Sequence, residues 1–100
     1  MIDNIEDFIN IYSENIKKYD WILNSLGKIR TKENNLCLLN SICKDKYGLN
    51  LSNNDISQFQ NILNLSPIFT NNIISITDMF MLNTILVPIR KKLLKLCRIE

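Results

Sequence analysis

The sequence has no histidine and no alanine, and its 100 residues include only two glycines, two prolines, three cysteines and one tryptophan. Each shortage excludes something. Without histidine the chain lacks the commonest general base and the commonest zinc ligand. Two isolated glycines, Gly27 and Gly48, cannot build a glycine-rich phosphate loop. No carboxylate pair is clustered in an expected loop, and Cys37 and Cys43 fall on different helical faces with no histidine to activate either. The expectation is a non-catalytic protein with no cofactor, no metal site and no small-molecule substrate. Three cysteines at irregular spacing are no disulfide framework; Cys37, Cys43 and Cys97 read as reduced core thiols in a cytoplasmic or nuclear protein. Asp3, Glu6 and Asp7 stand where a secretory signal needs basic residues, so secretion is not expected. Long apolar runs are also missing. The best stretch, residues 68–89, is broken by Asn71, Asn72, Asp78 and Asn83, so no membrane span is expected.

What is present defines one domain over residues 1–100, with 46% hydrophobic and 22% charged residues and a net charge of +2. Ile, Asn, Leu and Lys make up 55 of the 100 residues. Ile, Asn and Lys have A/T-rich codons, which points to the genome of a virus, parasite or symbiont and strips many asparagines of local meaning.

The apolar spacing predicts an all-α fold of four to six helices. Ile5, Phe8, Ile9, Tyr12 and Ile16 predict a helix over about 4–19, capped by Asp3 with Glu6 three residues on. Asp20 is expected to cap a second helix through Trp21, Leu23, Leu26 and Ile29, although Gly27 weakens it. Thr31 is expected to cap a third, carrying Leu38, Leu39, Ile42 and Tyr47 and stopped by Gly48. Ser52 and Asp55 form a capping box ahead of Ile56, Phe59 and Leu63. Ser66-Pro67 stops that helix or starts the next, and residues 68–76, rich in β-branched Ile, are compatible with a short extended segment. Thr77-Asp78 is expected to cap a final helix over about 78–97, kinked at Pro88. Being apolar nearly all round from Met79 to Ile89, this helix is expected to lie at the centre of the core with Leu82 and Leu86 inside.

Charge is unevenly placed. Residues 1–20 carry five acids against two lysines, residues 88–100 five basic residues against Glu100, and residues 56–76 no charge at all. A long neutral apolar strip implies a covered surface. The expected function is therefore a small interaction module (an adaptor, regulator or subunit) that binds a protein partner or itself. Its interface is expected at Ile68, Phe69, Ile73 and Ile74, with Arg90, Lys91 and Lys95 on the polar rim. The basic tail is also a candidate docking surface for an acidic protein, RNA or anionic lipid.

The alternative is a helix-turn-helix transcription regulator over residues 36–65. Tyr47-Gly48, Leu51-Ser52, Ile56, Phe59 and Leu63 resemble repressor-type and POU-specific domains, which implies DNA contacts from Asn54, Ser57, Gln58 and Asn61. The putting of Asp55 but no Lys or Arg on the recognition helix departs from that pattern, because phosphate neutralisation carries much of DNA affinity. Separately, Leu65-Ser66-Pro67 and Leu86-Val87-Pro88 resemble the helix motifs of the small stalk subunit of eukaryotic and archaeal RNA polymerases. The acids and alanines usual between them are replaced here by Asn71, Asn72, Ile74 and Met81.

Overall fold

Ile5, Phe8, Tyr12 and Ile16 recur at three- and four-residue steps. In the computed structural model, which describes residues 1–78 and 84–99, they form the buried face of helix α1, Ile5–Lys17. The cap is Asn4 rather than Asp3: Asn4 Oδ1 accepts from the Asp7 N–H at 2.9 Å, and Glu6 and Asp7 occupy the first turn, where the helix dipole favours acids. Ahead of α1, Ile2 pairs in parallel with Leu65, its N–H donating to Asn64 O at 2.7 Å and its carbonyl accepting from Ser66 N–H at 2.8 Å.

The expected second helix is a β-hairpin, which corrects the all-α reading to a mostly helical fold with a small sheet. Strand β1, Trp21–Leu23, pairs antiparallel with β2, Ile29–Thr31, Trp21 lying opposite Thr31 and Leu23 opposite Ile29. The cause is the turn. Asn24 Oδ1 accepts from the N–H groups of Leu26 and Lys28, and Gly27 takes φ +74°, a left-handed conformation that no helix interior uses. Trp21 donates its indole N–H to Ile16 O at 2.8 Å, satisfying a carbonyl in the last turn of α1. Two short strands are marginal alone; here β2 is buried along its length and packs on α2, Leu38–Tyr47.

Thr31 does not cap α2. It stays on β2, its Oγ1 accepting from Leu36 N–H at 2.8 Å, and the cap is Cys37, whose Sγ accepts from Asn40 N–H at 3.4 Å. The far end of α2 closes as expected on Gly48 at φ 68°. The Ser52–Asp55 box folds one step early, as a turn: Ser52 N–H donates to Asp55 Oδ2 at 2.9 Å and Asn54 N–H to Ser52 Oγ at 3.2 Å. Helix α3, Ile56–Leu63, follows it and ends on left-handed Asn64.

Ser66-Pro67 starts a helix. Ser66 Oγ accepts from Phe69 N–H at 3.2 Å, and Pro67 is the first residue of α4, Pro67–Asp78. Residues 68–76 are therefore helical, not extended. Phe69, Ile73 and Ile76, at i, i+4 and i+7, are all buried, and that burial overrides the β-branched preference.

Thr77 and Asp78 lie within α4, the Thr77 hydroxyl donating to Ile73 O at 2.7 Å, and residues 79–83, where the expected helix begins, lie outside the described residues. The last helix is α5, Val87–Leu96, and Pro88 stands in its first turn, where the missing N–H costs nothing, rather than at a kink. Nor is α5 the centre of the core. Ile85 is 78% exposed ahead of it and Leu93 is its buried residue, with Leu86 buried just before its start. Leu82 lies outside the described residues. The centre is where α1 meets α2, α3 and α4: the Phe8 ring lies 5.4 Å from Tyr12 and 5.5 Å from Phe69, with Leu38, Ile42, Phe59 and Leu63 closed around them. Each such side chain contributes about 1.5–3 kcal/mol through burial. Among the described residues no helix is long and apolar enough to cross a membrane.

Candidate docking surface

Helix α5 lies beside α1, and the two are not flush. Ile9 of α1 and Leu96 of α5 floor a groove of about 660 Å³, walled by Lys17, Lys92, Lys95 and Arg98. A second hollow of about 470 Å³ adjoins it, formed by Lys91, Leu94, Lys95, Arg98 and Ile99, so that Lys95 and Arg98 stand between the two. The periodicity of α5 produces this arrangement. Leu93 points into the core, Leu94 and Leu96 flank it half-buried, and Lys91, Lys92 and Lys95 take the outer positions.

Two of the cations pair with carboxylates of the chain. Lys92 Nζ pairs with Glu6 across the α1–α5 seam, and that hydrogen bond, followed by the Glu6 backbone N–H, holds the Glu6 carboxyl below the usual range. Lys17 Nζ lies 4.0 Å from Glu14. Lys91 and Lys95 have no carboxylate within ion-pair distance among the described residues.

Arg98 is held by both backbone and side chain. Ile99 N–H donates to Leu94 O at 2.9 Å and Arg98 N–H to Lys95 O at 3.1 Å, the paired bonds of a Schellman close, with Arg98 at φ 60° in the place glycine usually takes. Leu94 and Ile99 supply the apolar contact that goes with this motif and floor the second hollow. The guanidinium donates to Lys17 O at 3.1 Å, at the end of α1 where carbonyls are unsatisfied and the dipole is negative.

The surface expected from the uncharged strip does not form. Phe69 is 2% exposed and Ile73 fully buried, so both belong to the core; the helical step that sends Phe69 inward sends Ile68 out to 76% exposure and leaves Ile74 half-buried. Arg90 is no rim residue either. It is half-buried, donating to Ile76 O and to Gly27 O, and it ties the start of α5 to α4 and the hairpin turn. Lys91 and Lys95 do stand exposed, on the α5 surface instead. The contribution of α1, through Ile9 and Lys17, is absent from the sequence reading; the one available signal was that Ile9 widens the apolar face of α1 toward a second neighbour.

Asn54, Ser57, Gln58 and Asn61 are all exposed, Asn54 in the turn before α3 and the others on its outer side. Residues 48–55 separate α2 from α3, a longer connection than the three- or four-residue turn of a helix-turn-helix.

The cysteines are free and buried, as expected of core thiols. Burial pushes Cys37 and Cys43 up to about 11 and Cys97 to about 12, so all three remain neutral and poorly nucleophilic at physiological pH. Comparison with family models, with curated proteins and with solved structures finds no match to this chain.

Proposed function

We propose that this chain is a small non-catalytic interaction module that docks onto a protein through its α1–α5 face. The observation carrying this reading is an apolar floor of Ile9, Leu94, Leu96 and Ile99 ringed by cations, of which Lys91, Lys95 and Arg98 have no carboxylate within ion-pair distance among the described residues. An apolar centre with a polar rim is the usual anatomy of a protein interface. RNA is less well served, since no aromatic side chain lines either hollow to stack a base. A membrane surface calls for protruding apolar side chains, and here they lie recessed between lysines. Neutral buried thiols suit a reducing compartment, cytoplasmic or nuclear.

The test is affinity capture from the native source with the wild-type chain and with Lys91→Glu/Lys95→Glu. Both positions are exposed, so the variant keeps its fold, which circular dichroism checks. Proteins retained by the wild type and lost from the variant support the reading, whereas identical recovery overturns it.

A second reading, DNA binding through α3, is favoured by the exposure of Ser57, Gln58 and Asn61, since the Gln58 and Asn61 amides match adenine edges. Against it, no Lys or Arg occurs between Lys46 and Arg90. Salt-sensitive retention on duplex DNA that disappears in Gln58→Ala/Asn61→Ala would establish it.

A further inference from the structure

Helix α1 is engaged on three sides. Ile5, Phe8, Tyr12 and Ile16 are buried. Asn15 turns to α2, where its amide reaches Asp45, while Glu6, Ile9 and Lys17 face α5. The line left over is Asp7, Ile11 and Glu14, at i, i+4 and i+7, all exposed, with Ile11 47% open to solvent between the two acids. An apolar knob between carboxylates is the complement of an apolar groove between lysines. Both surfaces lie on the same side of the molecule, because α1 and α5 are neighbours joined by the Lys92–Glu6 pair.

We propose that the occupant of the α1–α5 face is a second copy of this chain, related by a two-fold axis that lays Asp7, Ile11 and Glu14 of each copy over Lys91 and Lys95 of the other. This deepens the docking reading and rests on it. A two-fold axis running between two adjacent helices exchanges their positions across the interface, so each acidic line meets a basic groove twice over and association closes at two. The uneven charge along the chain then has a use. Beyond the Lys92–Glu6 pair within one copy, the remaining acid of residues 1–20 and base of residues 88–100 meet between copies.

The experiment is a charge exchange followed by sedimentation equilibrium over a concentration series. The wild-type chain of 11.7 kDa should rise toward twice that mass with concentration, and less so as salt screens the contact. Ile11→Lys/Glu14→Lys should stay monomeric, because it sets lysine over lysine. Lys91→Glu/Lys95→Glu should also stay monomeric, because it sets acid over acid. An equimolar mixture should restore the doubled mass, since the reversed line of one variant then meets the reversed groove of the other. Amide shifts on diluting the unmodified chain give an independent check, with the largest changes expected along 7–14 and 91–99. A wild type that stays monomeric at millimolar concentration overturns the proposal, as does a dimer indifferent to both variants or dilution shifts centred elsewhere. A monomer whose Lys91→Glu/Lys95→Glu variant still loses captured proteins overturns the second copy alone and leaves the docking face standing.

Discussion

Arg30 of β2 donates to the carboxylate of Asp78, the last residue of α4, and both side chains are withdrawn from solvent, 7% and 15% exposed. The pair joins hairpin to helix one residue after Thr77, whose hydroxyl turns inward to Ile73 O. Removing one partner of a buried pair leaves the other uncompensated, which typically costs about 3–5 kcal/mol. Arg30→Ala and Asp78→Ala should each lower the unfolding free energy obtained from urea denaturation by an amount in that range. The double variant should cost less than the two losses added, because the second deletion removes a charge already stranded. Additive losses would show that the two side chains act independently.

Phe69 and Ile68 are neighbours in sequence and opposites in environment. Phe69→Glu places a charge against the Phe8 ring and should leave the chain unfolded at 25 °C by circular dichroism. Ile68→Glu, on a side chain 76% exposed, should shift stability by no more than about 0.5 kcal/mol. A folded Phe69→Glu variant would contradict the placement of α4.

Tyr12 donates its hydroxyl to Leu63 O at 2.7 Å, linking α1 to the end of α3 inside the core. Tyr12→Phe leaves that carbonyl without its donor and should cost about 1–2 kcal/mol in denaturant unfolding, with the ring contacts preserved. A variant as stable as the wild type would mean the carbonyl finds another donor.

Alkali should unfold this protein through four buried groups. Desolvation holds Tyr12 at about 12, Cys37 and Cys43 at about 11 and Cys97 at about 12, against ordinary values of 10 for tyrosine and 9 for the thiols. Above pH 9 the unfolded chain gives up these protons first, so it binds fewer protons than the native state and stability falls as pH rises. The contribution is intact below pH 9 and should be progressively lost between pH 9 and 12. Urea midpoints measured at pH 8, 9, 10 and 11 should decline steadily from the second point on, and a flat series would contradict the burial of these groups.

What was legible in the sequence had a local cause. The apolar repeat of α1, the Gly48 stop of α2 and the Ser66-Pro67 start of α4 are each settled by a few adjacent residues. The hairpin was not legible because Trp21, Leu23, Leu26 and Ile29 suit a helical spacing as well, and its turn residue, Asn24, is one of fifteen asparagines. Pro88 suits either a kink or a helix start, and residues outside its own segment decide between them: Arg90 anchors the beginning of α5 on Ile76 and Gly27. The candidate docking face was half visible. Its lysines stood out as a basic tail, but the groove exists only because α1 packs beside a helix about eighty residues away, and no periodicity within either segment announces that neighbour.

Arg98 closes α5 in a conformation that any residue with a Cβ adopts at a cost of about 1–2 kcal/mol, and that glycine adopts freely. Its guanidinium meanwhile stands on the wall between the two hollows. Backbone preference and surface charge thus make opposite demands on a single residue. Glycine would take this conformation without strain, so arginine here gives up some stability at the end of α5 while its guanidinium holds the Lys17 carbonyl and places a positive charge at the mouth of the groove.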